Sequence, residues 1–229
     1  MEGKQTLIID GDDTLWENNI YFEQAIEDFI DFLNHSRLSR SQVRAVLDEV
    51  EHLNTRVHGY GSAAFARNLQ DTFERLAERD LQPGDLDHIM GLARRIVREE
   101  LELLPGVPQT LDVLKDRHRL LLFTKGELEE QRLKVERSRL ADRFGRVTVA
   151  REKNVASYRE LLHDNAVDPR SAWMIGNSPR SDILPALEVG LGAVYIPHAH
   201  TWSLERAAVP AEHPRLIVLR AFAELTEHF

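Results

Sequence analysis

The sequence contains no cysteine among its 229 residues. Disulfide frameworks and thiolate metal sites are therefore excluded, because both need the cysteine sulfur. The absence fits a reducing compartment. The N-terminal segment MEGKQTLIID also lacks the long apolar stretch of a secretion signal. We therefore expect a cytoplasmic protein.

Long hydrophobic runs and an excess of positive charge are also missing. No apolar run approaches the roughly 18 residues of a membrane span, and the formal net charge is -9. Binding to nucleic acid or to anionic lipid by bulk electrostatics needs a surplus of Lys and Arg. We expect no nucleic-acid partner and no membrane partner, so any phosphate group must be recognised by local contacts. The sequence carries no signal for an oligomeric state.

Residues 17–100 show helical periodicity without a strand-like run. Apolar residues recur at steps of three and four, which is the spacing of one buried helical face. The pattern predicts four helices: over 21–33, from a Ser-x-x-Gln capping box at 39–42, through Phe65 to Leu76, and after the turn at 82–85. Together they predict a small helical bundle.

After residue 103 the pattern changes to helices that alternate with short apolar strands. Strand-like runs occur at 119–124, 146–150, 172–177, 192–197 and 215–219, in addition to the first one near the N-terminus. This alternation predicts a doubly wound α/β fold with a parallel sheet, whose active site lies at the C-terminal ends of the strands. The predicted core comprises 1–16 and 101–229, and the helical insertion comprises 17–100.

The segment TLIIDGDDTLW places Asp10, Asp12 and Asp13 directly after the first strand. Carboxylates repel one another, so this cluster costs stability unless a cation or a reaction needs it. An aspartate such as Asp10 can attack phosphorus and form an acyl phosphate. A second carboxylate two residues later, Asp12, can protonate the leaving oxygen and then deprotonate the attacking water. The pattern favours phosphoryl-transfer chemistry.

Polar groups also follow the other predicted strands, and the topology would gather them at the same sheet edge. Thr124 and the backbone amides of Lys125 and Gly126 would hold phosphoryl oxygens, while Lys153 would neutralise charge near the nucleophile. A phosphate beside carboxylates needs Mg²⁺, which prefers oxygen ligands. The candidate ligands are Asp10, the backbone carbonyl of Asp12, and Asn177 or Asp182.

Four segments resemble, in order and spacing, the motifs of the haloacid dehalogenase-like (HAD) hydrolases: DGDDT, LLLFTKG, the lysine at 153 and GNSPRSD. The resemblance covers nearly the whole chain. It implies a Rossmann-like core, a helical cap inserted after the first strand, Mg²⁺ dependence and an aspartyl-phosphate intermediate on Asp10. One position departs from the pattern, because the last family motif usually begins Gly-Asp and this chain has Gly176-Asn177. An Asn oxygen can still ligate Mg²⁺, but without a formal charge it should bind more weakly, and Asp182 could compensate.

Each candidate also has a structural interpretation. The opening carboxylates could form a polar turn, and Thr124 with Lys125 could simply end a strand. Lys153 could be a solvated surface lysine, in which case Lys125 is its rival beside the nucleophile. Asn177 could cap the helix that begins near Asp182.

Several residues outside these motifs are candidates for substrate contact. Trp16 and Asn18 follow the catalytic loop and enter the predicted cap, and His58 and Tyr60 lie near its turn at 58–61. The segment around His198 and His200 offers two imidazoles, but a two-residue spacing on a loop is poor support for a metal pair. A surface loop is the preferred interpretation there.

The leading expectation is a Mg²⁺-dependent phosphatase, that is, a phosphoric monoester hydrolase acting on a small phosphomonoester, with Asp12 as its acid/base group. Dehalogenases that resemble the first motif need no leaving-group acid and usually lack an aspartate at that position. A phosphoryl mutase would share the core. Asn177 suggests a further alternative, a non-catalytic or weakly active HAD-like protein that binds a ligand or a partner. A receiver domain is discounted because it is shorter and has no such insertion. No residue of the predicted cap carries a readable substrate code.

Overall fold

The computed structural model describes residues 3–229 and divides the chain into two compact units. The first unit comprises Met1–Asn18 and Leu101–Phe229, and the second comprises Asn19–Glu100. Within residues 3–229, no helix combines the length and the apolar character needed to cross a bilayer.

The second unit consists of four helices joined by short connections, as the periodicity predicts. Its helices are α1 (Asn19–Leu33), α2 (Arg40–His58), α3 (Ser62–Leu76) and α4 (Pro83–Arg98). Their apolar stripes enclose one core, in which Phe29, Leu47 and Leu69 are completely buried. The unit is therefore held together mainly by packing of amphipathic faces.

The capping box at the start of α2 is confirmed. The Ser39 hydroxyl accepts a hydrogen bond from the Gln42 amide at 3.3 Å, and the Gln42 side-chain oxygen accepts one from the Ser39 amide at 2.9 Å. These two bonds satisfy amide groups that have no partner inside the helix. The local sequence thus sets where α2 begins.

The first unit is built on a six-stranded parallel sheet with the order β3-β2-β1-β4-β5-β6. The predicted doubly wound α/β fold is confirmed. The strands are β1 (Thr6–Ile9), β2 (Arg119–Lys125), β3 (Arg146–Ala150), β4 (Ala172–Gly176), β5 (Gly192–Tyr195) and β6 (Leu216–Val218).

Helices cover both faces of this sheet. They are α5 (Val107–Arg117), α6 (Leu128–Ser138), α7 (Val155–Asp164), α8 (Leu184–Glu188) and α9 (Leu225–His228). Leu7 and Ile9 pack in one core cluster with residues of α5, α6 and α9, whereas Ile8 packs in another with residues of α7 and α8. Successive strand residues point to opposite faces, so a strand covered on both sides is apolar at every position.

The sheet order places the end of β1 at a topological switch point. From β1 the chain continues to β2 and β3 on one side, and then crosses to β4, β5 and β6 on the other. Ligands of doubly wound sheets bind where the winding direction changes, beyond the C-terminal ends of the strands. The Asp10 amide donates to the Ile175 carbonyl at 2.9 Å, which extends the β1–β4 pairing to the first residue of the candidate site.

Candidate active site

Two buried carboxylates meet one lysine at the end of β1. The Nζ atom of Lys153, three residues beyond β3, donates to Oδ1 of Asp10 at 2.5 Å and to Oδ1 of Asp182 at 2.7 Å. The Lys153 side chain is only 1% exposed. The solvated-lysine interpretation is therefore wrong, and Lys153 rather than Lys125 is the lysine beside the candidate nucleophile.

Burial dominates the electrostatics of this cluster. Burial, followed by the Asp182 carboxylate, raises the pKa of Asp10 to about 7, against the lowering effect of Lys153. For Lys153, burial disfavours the charged form, but Asp10 and Asp182 outweigh it and raise the pKa of the ammonium group. One lysine shared by two carboxylates leaves negative charge that a bound cation would compensate.

Oxygen atoms of residues that follow β1 and β4 lie close together beside Asp10. The Thr14 hydroxyl lies 3.1 Å from Oδ2 of Asp10 and 3.4 Å from Oδ1 of Asn177, and it donates toward both. The Asn177 amide nitrogen donates to the Thr201 hydroxyl at 3.3 Å, which directs the side-chain oxygen of Asn177 toward Thr14. Asn177 does not cap the following helical turn, because the Ser178 hydroxyl accepts from the Ser181 amide instead.

Asp182 is held by its own strand end. Oδ2 of Asp182 accepts a hydrogen bond from the Ser178 amide at 2.9 Å, and a Cβ atom at Gly176 would lie 2.2 Å from that oxygen. Only glycine at position 176 lets the carboxylate come so close. Asp182 sits in a π-helical turn, Pro179–Ile183, and the Tyr158 hydroxyl donates to the Ser181 carbonyl in that turn at 3.0 Å.

Both carboxylate oxygens of Asp12 are engaged by hydrogen-bond donors. Oδ1 accepts from the Trp16 indole nitrogen at 2.7 Å, and Oδ2 accepts from the Gln131 amide nitrogen at 2.8 Å. The Lys134 ammonium lies 2.8 Å from each oxygen and also donates to the Asn18 side-chain oxygen at 2.7 Å. Asp12 is thus fixed in one orientation by groups from two separate segments.

Thr124 and Gly126 lie next to this network. Thr124 is completely buried, and its hydroxyl donates to the side-chain oxygen of Gln131 at 3.0 Å. A Cβ atom at Gly126 would lie 2.8 Å from the amide nitrogen of Gln131, so a larger residue at position 126 would displace it. The backbone at Gly126 has a φ of 153°, which side chains other than hydrogen rarely allow.

Lys125 is part of a second charged network. Its ammonium donates to the Ser181 hydroxyl at 3.0 Å, forms an ion pair with Glu205 and lies 3.4 Å from Glu152. The Ser178 hydroxyl donates to Glu205 at 2.5 Å, and Ser181 donates to the same carboxylate. Burial opposes ionisation of Glu205, but Lys125 and the two hydroxyls lower its pKa below the usual value. This network ties the end of β2 to the turn after β4.

His198, in the loop after β5, has a largely buried side chain. His198 lies 3.7 Å from Oδ1 of Asp13 and 3.2 Å from Oε2 of Glu17, and its side chain is only 14% exposed. Their potential ligand atoms lie within 4.8 Å of one another. The His200 ring centroid lies 5.8 Å from that of His198. Pro197 and Ala199 on either side are exposed, as expected for a surface loop, while the His198 side chain turns inward and joins the loop after β5 to the loop after β1.

The candidate substrate-contact residues occupy different environments. Trp16 is completely buried in the core of the first unit. This burial favours a role in holding Asp12 rather than contact with substrate. Asn18 accepts from Lys134 in the same unit. In the second unit, His58 is the exposed last residue of α2 and approaches Arg67 at 3.3 Å, and Tyr60 lies partly buried between α2 and α3.

Sequence reasoning did not identify Gln131, Lys134 or Glu205 as parts of the site. Gln131 and Lys134 lie three residues apart and therefore on one face of α6, which begins just after Gly126. That spacing beside a strand-end motif was an available signal. Glu205 is the last residue of a short 3-10 helix, Ser203–Glu205, far along the chain, and no sequence pattern marks it.

The donor chemistry fits a hard divalent cation. Asp10 and Asn177 present oxygens that both approach the Thr14 hydroxyl, and hard cations are bound by carboxylate and amide oxygens. Both oxygens of Asp182 already accept hydrogen bonds, from Lys153 and from the Ser178 amide. The arrangement therefore favours Asn177 over Asp182 as a direct ligand.

Comparison with known proteins identifies the family. Residues 4–190 match the haloacid dehalogenase-like hydrolases. The chain belongs to the haloacid dehalogenase-like hydrolase family. The resemblance carried by the four motifs is thus confirmed.

Relatives of this HAD hydrolase differ in the reactions that their names describe. Pyrimidine 5'-nucleotidase YjjG of Escherichia coli is 28% identical over 135 residues, a match that spans 56% of this chain but only 58% of that relative. A haloacid dehalogenase-like hydrolase from Xanthomonas campestris has 28% identity and a TM-score of 0.84, over 100% of this chain and 95% of that one. A 2-haloacid dehalogenase from Pseudomonas syringae shares the fold with a TM-score of 0.61 and 22% identity, over 98% of this chain and 97% of that one.

Proposed function

We propose that this HAD hydrolase is a Mg²⁺-dependent phosphatase that hydrolyses a small phosphomonoester through an aspartyl-phosphate on Asp10. The observation that carries the proposal is a second carboxylate, Asp12, held in a defined orientation by Trp16, Gln131 and Lys134. Phosphoester hydrolysis needs a group that both gives and takes a proton, and a positioned carboxylate can do both.

The first half of the reaction forms the covalent intermediate. A carboxylate oxygen of Asp10 attacks phosphorus, and the bond between phosphorus and the ester oxygen breaks. The leaving oxygen takes the proton carried by the protonated form of Asp12, which becomes the carboxylate. In the second half Asp12 takes a proton from water, whose oxygen attacks phosphorus and releases inorganic phosphate. Asp10 then returns to its starting carboxylate form.

The neighbouring groups stabilise the transferring phosphoryl group. Lys153 supplies positive charge beside Asp10. Thr124 and the backbone amides of Lys125 and Gly126 are the proposed donors to the phosphoryl oxygens. The Lys125 side chain is engaged with Glu205 and Ser181, so its backbone rather than its ammonium is assigned this task.

Magnesium is the proposed cofactor, with Asp10, the Asp12 carbonyl and Asn177 as ligands and Asp182 as a support. When bound, the ion would screen the charge between the phosphate and the carboxylates. Asp182 supports the site through Lys153, to which it accepts a hydrogen bond.

Asp12 also favours phosphate ester hydrolysis over dehalogenation. A halide leaves as a stable anion and needs no proton, whereas an alkoxide leaving from phosphate does. The similarity to a pyrimidine 5'-nucleotidase supports a phosphomonoester substrate and makes nucleoside monophosphates a first class to test. In this proposal the enzyme is cytoplasmic, the helical unit serves as the cap, and His58 and Tyr60 are candidate substrate contacts.

The test is release of p-nitrophenol from p-nitrophenyl phosphate with and without Mg²⁺. We expect metal-dependent release that Asp10→Asn abolishes, while Asp142→Asn, the same change at a side chain 78% exposed, leaves it unchanged. Acid quenching with ³²P-labelled substrate should trap label on the wild-type protein and not on Asp10→Asn. Release of chloride from 2-chloropropionate with no phosphatase activity would overturn the proposal.

A further inference from the structure

Two side chains of α6, Gln131 and Lys134, contact the proposed acid/base group. Gln131 is 4% exposed and reaches Asp12 from 119 positions along the chain. Lys134 reaches it from 122 positions along the chain. Neither residue has a task in the proposed chemistry itself.

The Gln131 side chain joins two parts of the site. Its amide nitrogen donates to Oδ2 of Asp12, and its amide oxygen accepts from the Thr124 hydroxyl. An amide that gives and receives in this way cannot flip without breaking both bonds. The position of Asp12 is thereby tied to that of a proposed phosphate-binding residue.

The Lys134 ammonium is equidistant from both Asp12 oxygens, at 2.8 Å from each, and it is anchored a third time by Asn18. An exposed ion pair would leave the carboxylate free to rotate, and such pairs contribute little. Here the lysine and carboxylate side chains are 22% and 21% exposed. Rotation of Asp12 about its last side-chain bond would break contacts to Trp16, Gln131 and Lys134 together.

We propose that Gln131 and Lys134 are positioning residues that hold the Asp12 carboxylate in the orientation from which it exchanges protons with the leaving group and with water. This inference rests on the proposed phosphatase function. It predicts that the two residues act through Asp12 and not through binding of the substrate.

Dependence on the leaving group separates this role from a general structural one. A displaced acid slows departure of a leaving group that needs a proton and has less effect on one that leaves as a stable anion. Phenyl phosphate and p-nitrophenyl phosphate differ in this respect and little in size. The ratio kcat/KM reports the first irreversible step, in which the leaving group departs.

The variants are Lys134→Met, which keeps the aliphatic stem, and Gln131→Leu. We expect kcat/KM for phenyl phosphate to fall about 10- to 100-fold and that for p-nitrophenyl phosphate to fall less than about threefold. Lys134→Arg should restore most of the loss, because a guanidinium can donate to both oxygens. Lys115→Met, at an exposed lysine of the same unit paired with Asp112, is the matched control and should leave both values unchanged.

A double variant tests the route of the effect. In an Asp12→Asn background, Lys134→Met should cause no further loss of kcat/KM, because residues that act as a unit are not additive. Thermal melts of each variant identify any that fails to fold, and Lys134→Met alone then suffices for the comparison.

An equal loss on both substrates, or a full further loss in the Asp12→Asn background, would overturn the inference while the proposed function stands. If the wild type turns over neither ester with Mg²⁺, the proposed function fails and the inference fails with it.

Discussion

The ammonium group of Lys153 lies 2.5 Å from Oδ1 of Asp10, although 143 residues separate the two in sequence. The contact exists because β1 and β3 flank β2 in a parallel sheet, which brings the residues after each strand to one edge. Lys153 also serves Asp182, so a buried cluster of two acids and one base forms the centre of the site.

Removing the positive charge of Lys153 should destabilise the folded protein. Lys153→Met leaves two buried carboxylates without their shared counter-charge, and breaking a buried pair from one side costs about 3–5 kcal/mol. Urea unfolding followed by circular dichroism measures this loss. Adding Asp182→Asn to Lys153→Met should recover part of it, since one of the orphaned charges is then removed. A double variant no more stable than Lys153→Met would contradict this electrostatic account.

Restoring a charge at position 177 should strengthen cation binding. Asn177→Asp places a carboxylate beside the Thr14 hydroxyl that also contacts Asp10, and we expect it to tighten Mg²⁺ binding about tenfold, which corresponds to about 1.4 kcal/mol. Isothermal titration calorimetry with MgCl₂ measures the change without reference to activity. The exposed Asn34→Asp in the second unit carries the same chemical change and should have no effect. Equal affinities for wild type and Asn177→Asp would show that residue 177 does not ligate the ion.

Loss of Glu205 should loosen the link between β2 and the turn after β4. Glu205→Gln removes the nearer of two carboxylates beside Lys125, whose side chain is only 12% exposed, and leaves Glu152 at 3.4 Å. We expect a destabilisation of about 1–3 kcal/mol. Lys125→Met combined with Glu205→Gln should cost less than the sum of the two single changes. If the losses in free energy of unfolding are additive, Lys125 and Glu205 do not stabilise the protein by interacting with each other.

In the helical unit, the Asp85 carboxylate should make stability depend on acid. Its hydrogen bond from Arg79, followed by the one from the Gln82 amide, lowers the pKa of Asp85 from 3.8 to about 2. A folded-state pKa below the unfolded value stabilises the folded state above about pH 4, and this contribution disappears as the pH falls toward 2.

The measurement is the urea midpoint of wild type and Asp85→Asn at several pH values. The variant should be less stable at pH 6. The difference in urea midpoint between wild type and variant should become smaller between pH 4 and pH 3. Asp87→Asn, a neighbour on α4 outside this contact, provides the control. A gap of constant size over this range would exclude the ionised carboxylate as its cause.

Sequence patterns predicted the parts of this molecule that depend on local periodicity and chain order. The helices of the second unit, the capping box at Ser39 and the strands of the sheet follow from the spacing of apolar residues and from caps. The meeting of Asp10 and Lys153 follows from a general property of parallel sheets, because strand ends share one edge.

The contacts that depend on side-chain placement were not predictable. Trp16 looked like a substrate contact because it follows the acidic loop, yet packing places it in the core with its indole nitrogen on Asp12. His198 contacts Asp13 and Glu17 only because the loops after β1 and β5 come together. The periodicity of a sequence does not encode which way such side chains turn.

The pairing of β1 on both sides affects how the nucleophile can move. The residues leading to Asp10 are 0% exposed from Leu7 to Ile9, and the Asp10 amide is itself bonded to Ile175. Amide protons on this segment should therefore exchange with deuterated solvent only when the whole unit opens, and more slowly than those of the exposed turns. Since β1 does not unfold locally, fluctuations that widen or narrow access to the Asp10 carboxylate must come from neighbouring segments.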